Sequence, residues 1–202
     1  MLVLLPGIWS ECSVTGQDEY WLSFRTALEM QERSEWLTPY VDGEVRLQKP
    51  PLLYWLMRLS FLAFGPSPFA ARVWTVVFGA LFALYTAKLA RRFGSGGWLA
   101  GLFALASAGV AIEARRAMFD LPVACFATMA FRQAACWQRG GRAGALLAAG
   151  ALLGLAAMTK GPVALWFFAA PCLAALWLRR ARPAGPWWHG APASLVLLPV
   201  VL

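Results

Sequence analysis

Five apolar runs, Phe69–Ala90, Gly97–Ile112, Leu121–Trp137, Ala143–Met158 and Pro162–Leu178, follow one another with only short breaks between them. Hydrocarbon offers no partner to backbone N–H and C=O groups. A chain that crosses about 30 Å of it must therefore do so as helices, which satisfy those groups internally. The sequence predicts an all-α integral membrane protein, a polytopic helix bundle. The breaks set its orientation. Lys88, Arg91 and Arg92 follow the first run, Arg132, Arg139 and Arg142 surround the next turn on that side, and Arg179, Arg180 and Arg182 mark the third. No acidic residue stands among these nine cations, which is the pattern of cytoplasmic loops. The net charge of +8 resides in such short clusters, which points to membrane lipid and away from nucleic acid as a partner.

Met1–Trp9 is too short to span and reads as the outer half of a first transmembrane helix, while Ala193–Leu202 stops within another. On this reading residues 1–9 are a partial first span, 10–68 an outer loop, and 69–202 further spans of which the last is incomplete. The whole is then the N-terminal part of a larger polytopic protein. Cys12, Cys125, Cys136 and Cys172 contain no CxxC pair, and His189 is the only histidine, so a disulfide framework or a His-based site is not expected. Trp187, Trp188 and His189 read as a cytoplasmic interface belt. The Gly and Ala residues of Gly144–Gly154 predict close helix packing.

All ten acids fall on the other side: eight within Glu11–Glu44, then Glu113 and Asp120 between the second and third runs. Ionisable groups beside a bilayer are costly to place and mark a site. Thr15-Gly-Gln-Asp18 fits a capping box opening a helix from about Asp18 to Ser34. Within it Trp21, Phe24, Ala27 and Leu28 recur at helical spacing, and Arg25, Glu29 and Arg33 form an i,i+4 ladder on another side. Such a helix lies on the membrane surface. Thr38–Lys49 is a polar loop turning at Asp42-Gly43, and Pro50-Pro51 start a second helix, Leu52–Phe64, closed by Gly65-Pro66. That helix rises only about 20 Å, too little to cross, so it lies in the interface or re-enters it.

The outward set includes Asp18, Glu19, Lys49, Arg115, Arg116, Asp120 and Lys160. Carboxylates there would activate or orient a hydroxyl, and cations would neutralise a phosphate. Lys49 is stiffened by the two prolines after it, and Lys160 begins a Lys-Gly-Pro turn at a span boundary. Arg115 and Arg116 run against the positive-inside rule, with two readings open: binding lipid phosphate, or pairing with Glu113 or Asp120. Simpler roles stand beside these. Asp18 and Glu19 at a helix N-terminus are worth about 0.3–1 kcal/mol as dipole partners, and Lys49 suits a snorkelling interfacial lysine. Neither G-x-G-x-x-G nor a Walker A run is present, so an activated donor on this side would be lipid-linked.

Several ordered motifs carry a resemblance: D-E-Y at 18–20, W-L-T-P-Y-x-D-G-E at 36–44, K-P-P-L-L-Y-W-L at 49–56, F-G-P-S-P-F-A-A-R at 64–72 and T-K-G-P at 159–162. The chain resembles the ArnT / protein O-mannosyltransferase-like family of GT-C membrane glycosyltransferases. The resemblance implies transfer of a sugar, with inversion, from a polyprenyl-phosphate-linked donor at the periplasmic face of a bacterial inner membrane. A lipid (lipid A-like), glycan or protein would be the acceptor. It further implies Asp18 as the first-loop catalytic acid, and Asp120 in R-R-A-M-F-D-L-P resembles the family's second acidic position; Glu19, next to Asp18 in the outward set, is a catalytic candidate on its own residues. The resemblance implies that Lys49 and Lys160 contact the donor phosphate; Arg115 and Arg116 are further phosphate-binding candidates on the residue reading given above. Gln48 stands where relatives often carry an acid, so no metal or other cofactor is expected. The alternatives from other classes are a polytopic transporter or flippase of lipid-linked sugars and a non-catalytic assembly subunit. A transporter would favour inverted repeats with broken helices near the bilayer centre, and the sequence displays none.

Overall fold

The computed structural model describes residues 4–10, 17–92, 94, 96–140 and 143–180. Cys12, Thr15, Arg142, Arg182, Trp187, Trp188 and His189, and the readings attached to them, lie outside the described residues. In the outer segment α1 (Gln17–Glu19) passes through a π-helical turn, Tyr20–Phe24, into α2 (Arg25–Glu32). A single widened turn inside an otherwise regular helix is a device for re-aiming side chains. After it Tyr40–Val41 (β1) and Glu44–Val45 (β2) pair antiparallel around Asp42 and Gly43, whose φ angles of 51° and 84° make the mirror-image turn that a tight hairpin needs. The predicted second helix is α3 (Leu52–Phe64), opened by Pro51 and stopped at Gly65 with φ 76°. Ser67 then caps α4 (Pro68–Ala90), its hydroxyl accepting from the Ala70 N–H with Pro68 in the first helical position.

The remaining elements are α5 (Gly97–Ala106), α6 (Ala108–Glu113), α7 (Asp120–Gly140), α8 (Ala143–Lys160) and α9 (Val163–Arg180). Among the described residues α4 and α8 are long and apolar enough to cross a membrane. The run Gly97–Ile112, expected as one span, is corrected: it is broken at Ser107, which takes an extended conformation at φ −66° and ψ 133°. The Ser107 hydroxyl accepts from the Val110 N–H and donates to the Ala104 carbonyl, so a side chain replaces backbone bonds and starts a new helix. The packing expected of Gly144–Gly154 falls to alanine, with Ala149 buried, and not to the glycines. A Cβ on Gly144, Gly150 or Gly154 would meet nothing within 4 Å, whereas one on Gly97 or Gly101 would lie 2.6 or 2.9 Å from carbonyl oxygens of α4. Close backbone approach at a glycine occurs between α4 and α5, while α8 lies against α7 and buries Ala149 and Ala156.

Two buried clusters position the outer end. Leu4, Ile8, Val76, Phe82, Val110 and Leu121 join α4, α6 and α7. Met30, Leu53, Tyr54, Met57, Phe61 and Phe119 join α2, α3 and the segment before α7. Tyr54 meets Phe119 edge-on at 5.5 Å, and its hydroxyl donates to the Leu22 carbonyl. α3 thus buries Tyr54, Met57 and Phe61 while Leu59, Leu62 and Phe64 stay exposed, the two-faced pattern of a helix lying against a membrane interface.

Candidate functional site

The acidic end of the bundle gathers segments far apart in sequence. Lys160 is the last residue of α8, and Gly161 turns the chain at φ 76°. A Cβ on Gly161 would stand 4.0 Å from Pro50 Cγ, so the Lys49-Pro50 segment lies against the Lys160-Gly161 turn. Lys160 Nζ pairs with the Oδ1 of Asp120, the first residue of α7. That pair is open to solvent: the Asp120 side chain is 43% exposed. Lys49 is half-buried and forms no ion pair among the described residues. In the loop before α7 Arg116 Nη1 donates to Glu113 Oε1 at 2.8 Å, the contact of the pairing reading. Burial raises the Glu113 carboxyl above its ordinary value; Arg116 pulls it back, and the charge of Asp120 pushes it up further. Arg115 is half-buried in the same loop.

Glu19 occupies a different place from Asp18. Asp18 is exposed at the start of the first helix. Glu19 is buried, its Oε1 and Oε2 taking Arg72 Nε and Nη2 at 2.7 and 2.8 Å. Oε1 also accepts the Ala117 N–H at 2.7 Å. Arg72 completes the knot by donating from Nη1 to the Ser10 carbonyl at 2.7 Å and to the carbonyls of Gly7 and Ile8 at 3.3 and 3.4 Å. One guanidinium thereby ties the N-terminal segment, α1 and the loop before α7 to α4. Grouped at first with the catalytic acids, Glu19 is held by structural partners and faces no open space.

The hairpin is fixed by a second buried acid. Glu29 accepts the Asp42 and Gly43 N–H groups at 2.7 and 3.1 Å and pairs with Arg25 Nε at 2.8 Å. Burial alone would raise its carboxyl, but the two N–H groups with Arg25 and Arg33 more than offset this and hold it below its ordinary value. Arg33, the third member of the expected ladder, lies instead over the Tyr40 ring at 4.5 Å. Gln48 Oε1 accepts from Arg46 Nη2 at 3.1 Å, and Arg46 Nη1 reaches the Trp21 carbonyl at 3.3 Å. Sequence reasoning singled out neither Arg72 nor Arg46. For Arg72 a signal was present, since an arginine at the head of an apolar span requires an anionic partner.

Residues 48–202 match the family described as dolichyl-phosphate-mannose-protein mannosyltransferase. A relative from Sodalis glossinidius (strain morsitans), undecaprenyl phosphate-alpha-4-amino-4-deoxy-L-arabinose arabinosyl transferase 2, is 34% identical over 196 residues, covering 87% of this chain and 35% of its own. The corresponding transferase from Yersinia enterocolitica is 30% identical over 147 residues, 68% of this chain and 26% of its own. In fold, ArnT from Cupriavidus metallidurans bound to undecaprenyl phosphate superposes with a TM-score of 0.77 at 22% identity, over 99% of this chain and 38% of that one. The chain spans 14% to 35% of the length of the curated relatives it matches. With an all-α membrane fold that superposes on ArnT and a family match over more than half its length, this chain belongs to the dolichyl-phosphate-mannose-protein mannosyltransferase family.

Proposed function

We propose that this chain supplies the donor-phosphate part of a glycosyltransferase that moves a sugar from a polyprenyl-phosphate carrier to an acceptor at the periplasmic face of a bacterial inner membrane. The observation that carries the reading is the packing of Pro50 on Gly161, which sets Lys49 beside the Lys160–Asp120 pair from segments remote in sequence. The two lysines differ. Lys49 has no carboxylate on it among the described residues and is open to an arriving phosphate. Lys160 is shared with Asp120, so a phosphate that recruits it competes with that carboxylate and frees Asp120.

In the reaction the acceptor oxygen bonds to the anomeric carbon as the bond from that carbon to the phosphate oxygen breaks. The electron pair leaves on the polyprenyl phosphate, where Lys49 and Lys160 offset the charge. Asp18, exposed at the head of the first helix, takes the proton of a hydroxyl acceptor; an acceptor that is already a phosphate anion needs no base. Glu19 serves by holding α1 on Arg72 so that Asp18 is fixed in place. Arg115 and Arg116 lie in the loop that closes the site's edge, Arg116 through Glu113.

The test uses the full-length protein in lipid nanodiscs with a polyprenyl-phosphate sugar labelled on the sugar. Label is expected to appear in a lipid A-like, glycan or protein acceptor as polyprenyl phosphate is released. Donor moved across the bilayer but recovered intact would refute the transferase reading and support a flippase.

A further inference from the structure

The opposite end of the bundle carries a second feature, independent of the acidic-end reading. There α4 and α7 lie side by side and match turn for turn. Lys88 Nζ sits 5.0 Å, and Arg132 Cζ 5.8 Å, from the centroid of the Tyr85 ring. One turn further along, Arg92, in the turn just past the end of α4, has its Nη2 2.7 Å from Cys136 Sγ of α7. Three cations, from α4, the turn after it and α7, therefore share one groove. Positive-inside sorting accounts for cations in loops. Arg132, counted above with the loop cations, is corrected: it lies eight residues before α7 ends at Gly140, about two turns inside the helix, where that rule does not account for it. Its Nε is buried with no hydrogen-bond partner among the described residues. Neither Lys88 nor Arg132 forms an ion pair among the described residues, and positions 73–112 and 121–202 contain no Asp or Glu. The ring of Tyr85 steadies both cations but does not neutralise them.

We propose that the groove between α4 and α7 seats the headgroup of an anionic phospholipid. Like charges this close call for a counter-anion. A phosphodiester suits them, because the guanidinium forks grip two oxygens while the ammonium supplies a point charge. A lipid is favoured over free phosphate because Trp137, on the next turn of α7, is 40% exposed and gives an acyl chain an apolar neighbour at headgroup depth. Clusters of this kind between spanning helices are a recognised mode of lipid recognition, each cation contributing about fivefold in affinity.

The experiment is native mass spectrometry of the detergent-released full-length protein titrated with phosphatidylglycerol or phosphatidylcholine. Phosphatidylglycerol is expected to remain bound at concentrations where phosphatidylcholine does not. K88Q/R132Q should weaken phosphatidylglycerol by about twenty-five-fold, and R132K should recover part of that. R91Q removes a charge from the same end, but the Arg91 stem packs against Gly97 of α5, so it should change binding less than twofold. Equal retention of the two lipids would overturn the proposal, as would an R91Q effect matching that of R132Q. Displacement of phosphatidylglycerol by millimolar inorganic phosphate would also overturn it, since a free anion would then suffice. A second readout needs no variant: maleimide labelling of Cys136, read by peptide mass, should be severalfold slower in phosphatidylglycerol nanodiscs than in phosphatidylcholine ones. Equal rates would count against the site.

Discussion

Arg72→Ala should destabilise the outer half of the bundle by about 3–5 kcal/mol, the range for removing one partner of a buried ion pair. The side chains of Arg72 and Glu19 are both 6% exposed, and two bonds of 2.7 and 2.8 Å join them. Cutting Arg72 strands the Glu19 carboxylate with the Ala117 N–H among its remaining donors, and it removes the donor to Ser10, Gly7 and Ile8. The desolvation of the orphaned carboxylate therefore dominates the loss. If so, the double variant Arg72→Met with Glu19→Met should be less harmful than Arg72→Met alone, because no charge is left buried. Arg72→Lys keeps the charge but not the fork, and should fall between. Thermal denaturation of the full-length protein in detergent, followed by fluorescence-detected size exclusion, ranks the four variants against wild type. Arg72→Ala or Arg72→Met as stable as wild type, or a double variant no better than Arg72→Met alone, would refute the account of Arg72 as the tie among four segments.

Lys49→Ala should weaken donor binding as well as turnover, with Lys49→Arg recovering part; titration of full-length enzyme with polyprenyl phosphate checks it, and unchanged binding would remove Lys49 from the phosphate. Asp18→Asn should leave donor binding intact while turnover on a hydroxyl acceptor falls by about 10²-fold or more, and near-normal turnover would reduce Asp18 to a helix-terminus residue. Gly101→Leu should prevent α5 from seating on α4, since even a Cβ there would lie 2.9 Å from the Ala83 carbonyl oxygen, whereas Gly150→Ala should be tolerated; expression and monodispersity separate the two. Because the folded Glu29 carboxyl is held below its ordinary value of 4.5, its contribution is present above that value and lost as pH falls through the lower folded one. Exchange protection of the Asp42 and Gly43 amides, corrected for intrinsic rates, should therefore drop below about pH 4.5 in wild type. Glu29→Gln should already have lost it at pH 7; pH-independent protection in wild type would contradict the latch.

Local punctuation was legible, and long-range pairing was not. Pro51 and Gly65 bracket α3 at the residues expected, and Asp42-Gly43 makes the turn it was read as, because each of these choices is settled within four or five residues. Ser107 escaped notice since one serine in an apolar run is usually tolerated; only its hydroxyl's bonds to Ala104 and Val110 reveal the break. Which glycines face a neighbour depends on the rotation of each helix about its axis, and the sequence holds no direct record of that. Glu19 with Arg72 and Asp120 with Lys160 join residues 53 and 40 positions apart, so composition could say that charges gather outside but not who answers whom.

That pairing pattern bears on the chemistry. At the acidic end Arg72, Arg116 and Lys160 are each met by a carboxylate, at Glu19, Glu113 and Asp120. Lys49, set beside the last of these pairs, is not met by one among the described residues. A site already crowded with free cations would hold a phosphate product as firmly as a donor and would slow its departure. On the proposed reading Lys49 is the cation that an arriving phosphate meets, with another in reserve on Lys160 that Asp120 would reclaim when the phosphate goes. Uniformly tight binding of donor and product does not raise turnover. Under the proposed function an exchangeable partner would help, because Lys160 would be available as charge develops on the leaving oxygen and would be taken back by Asp120 afterwards.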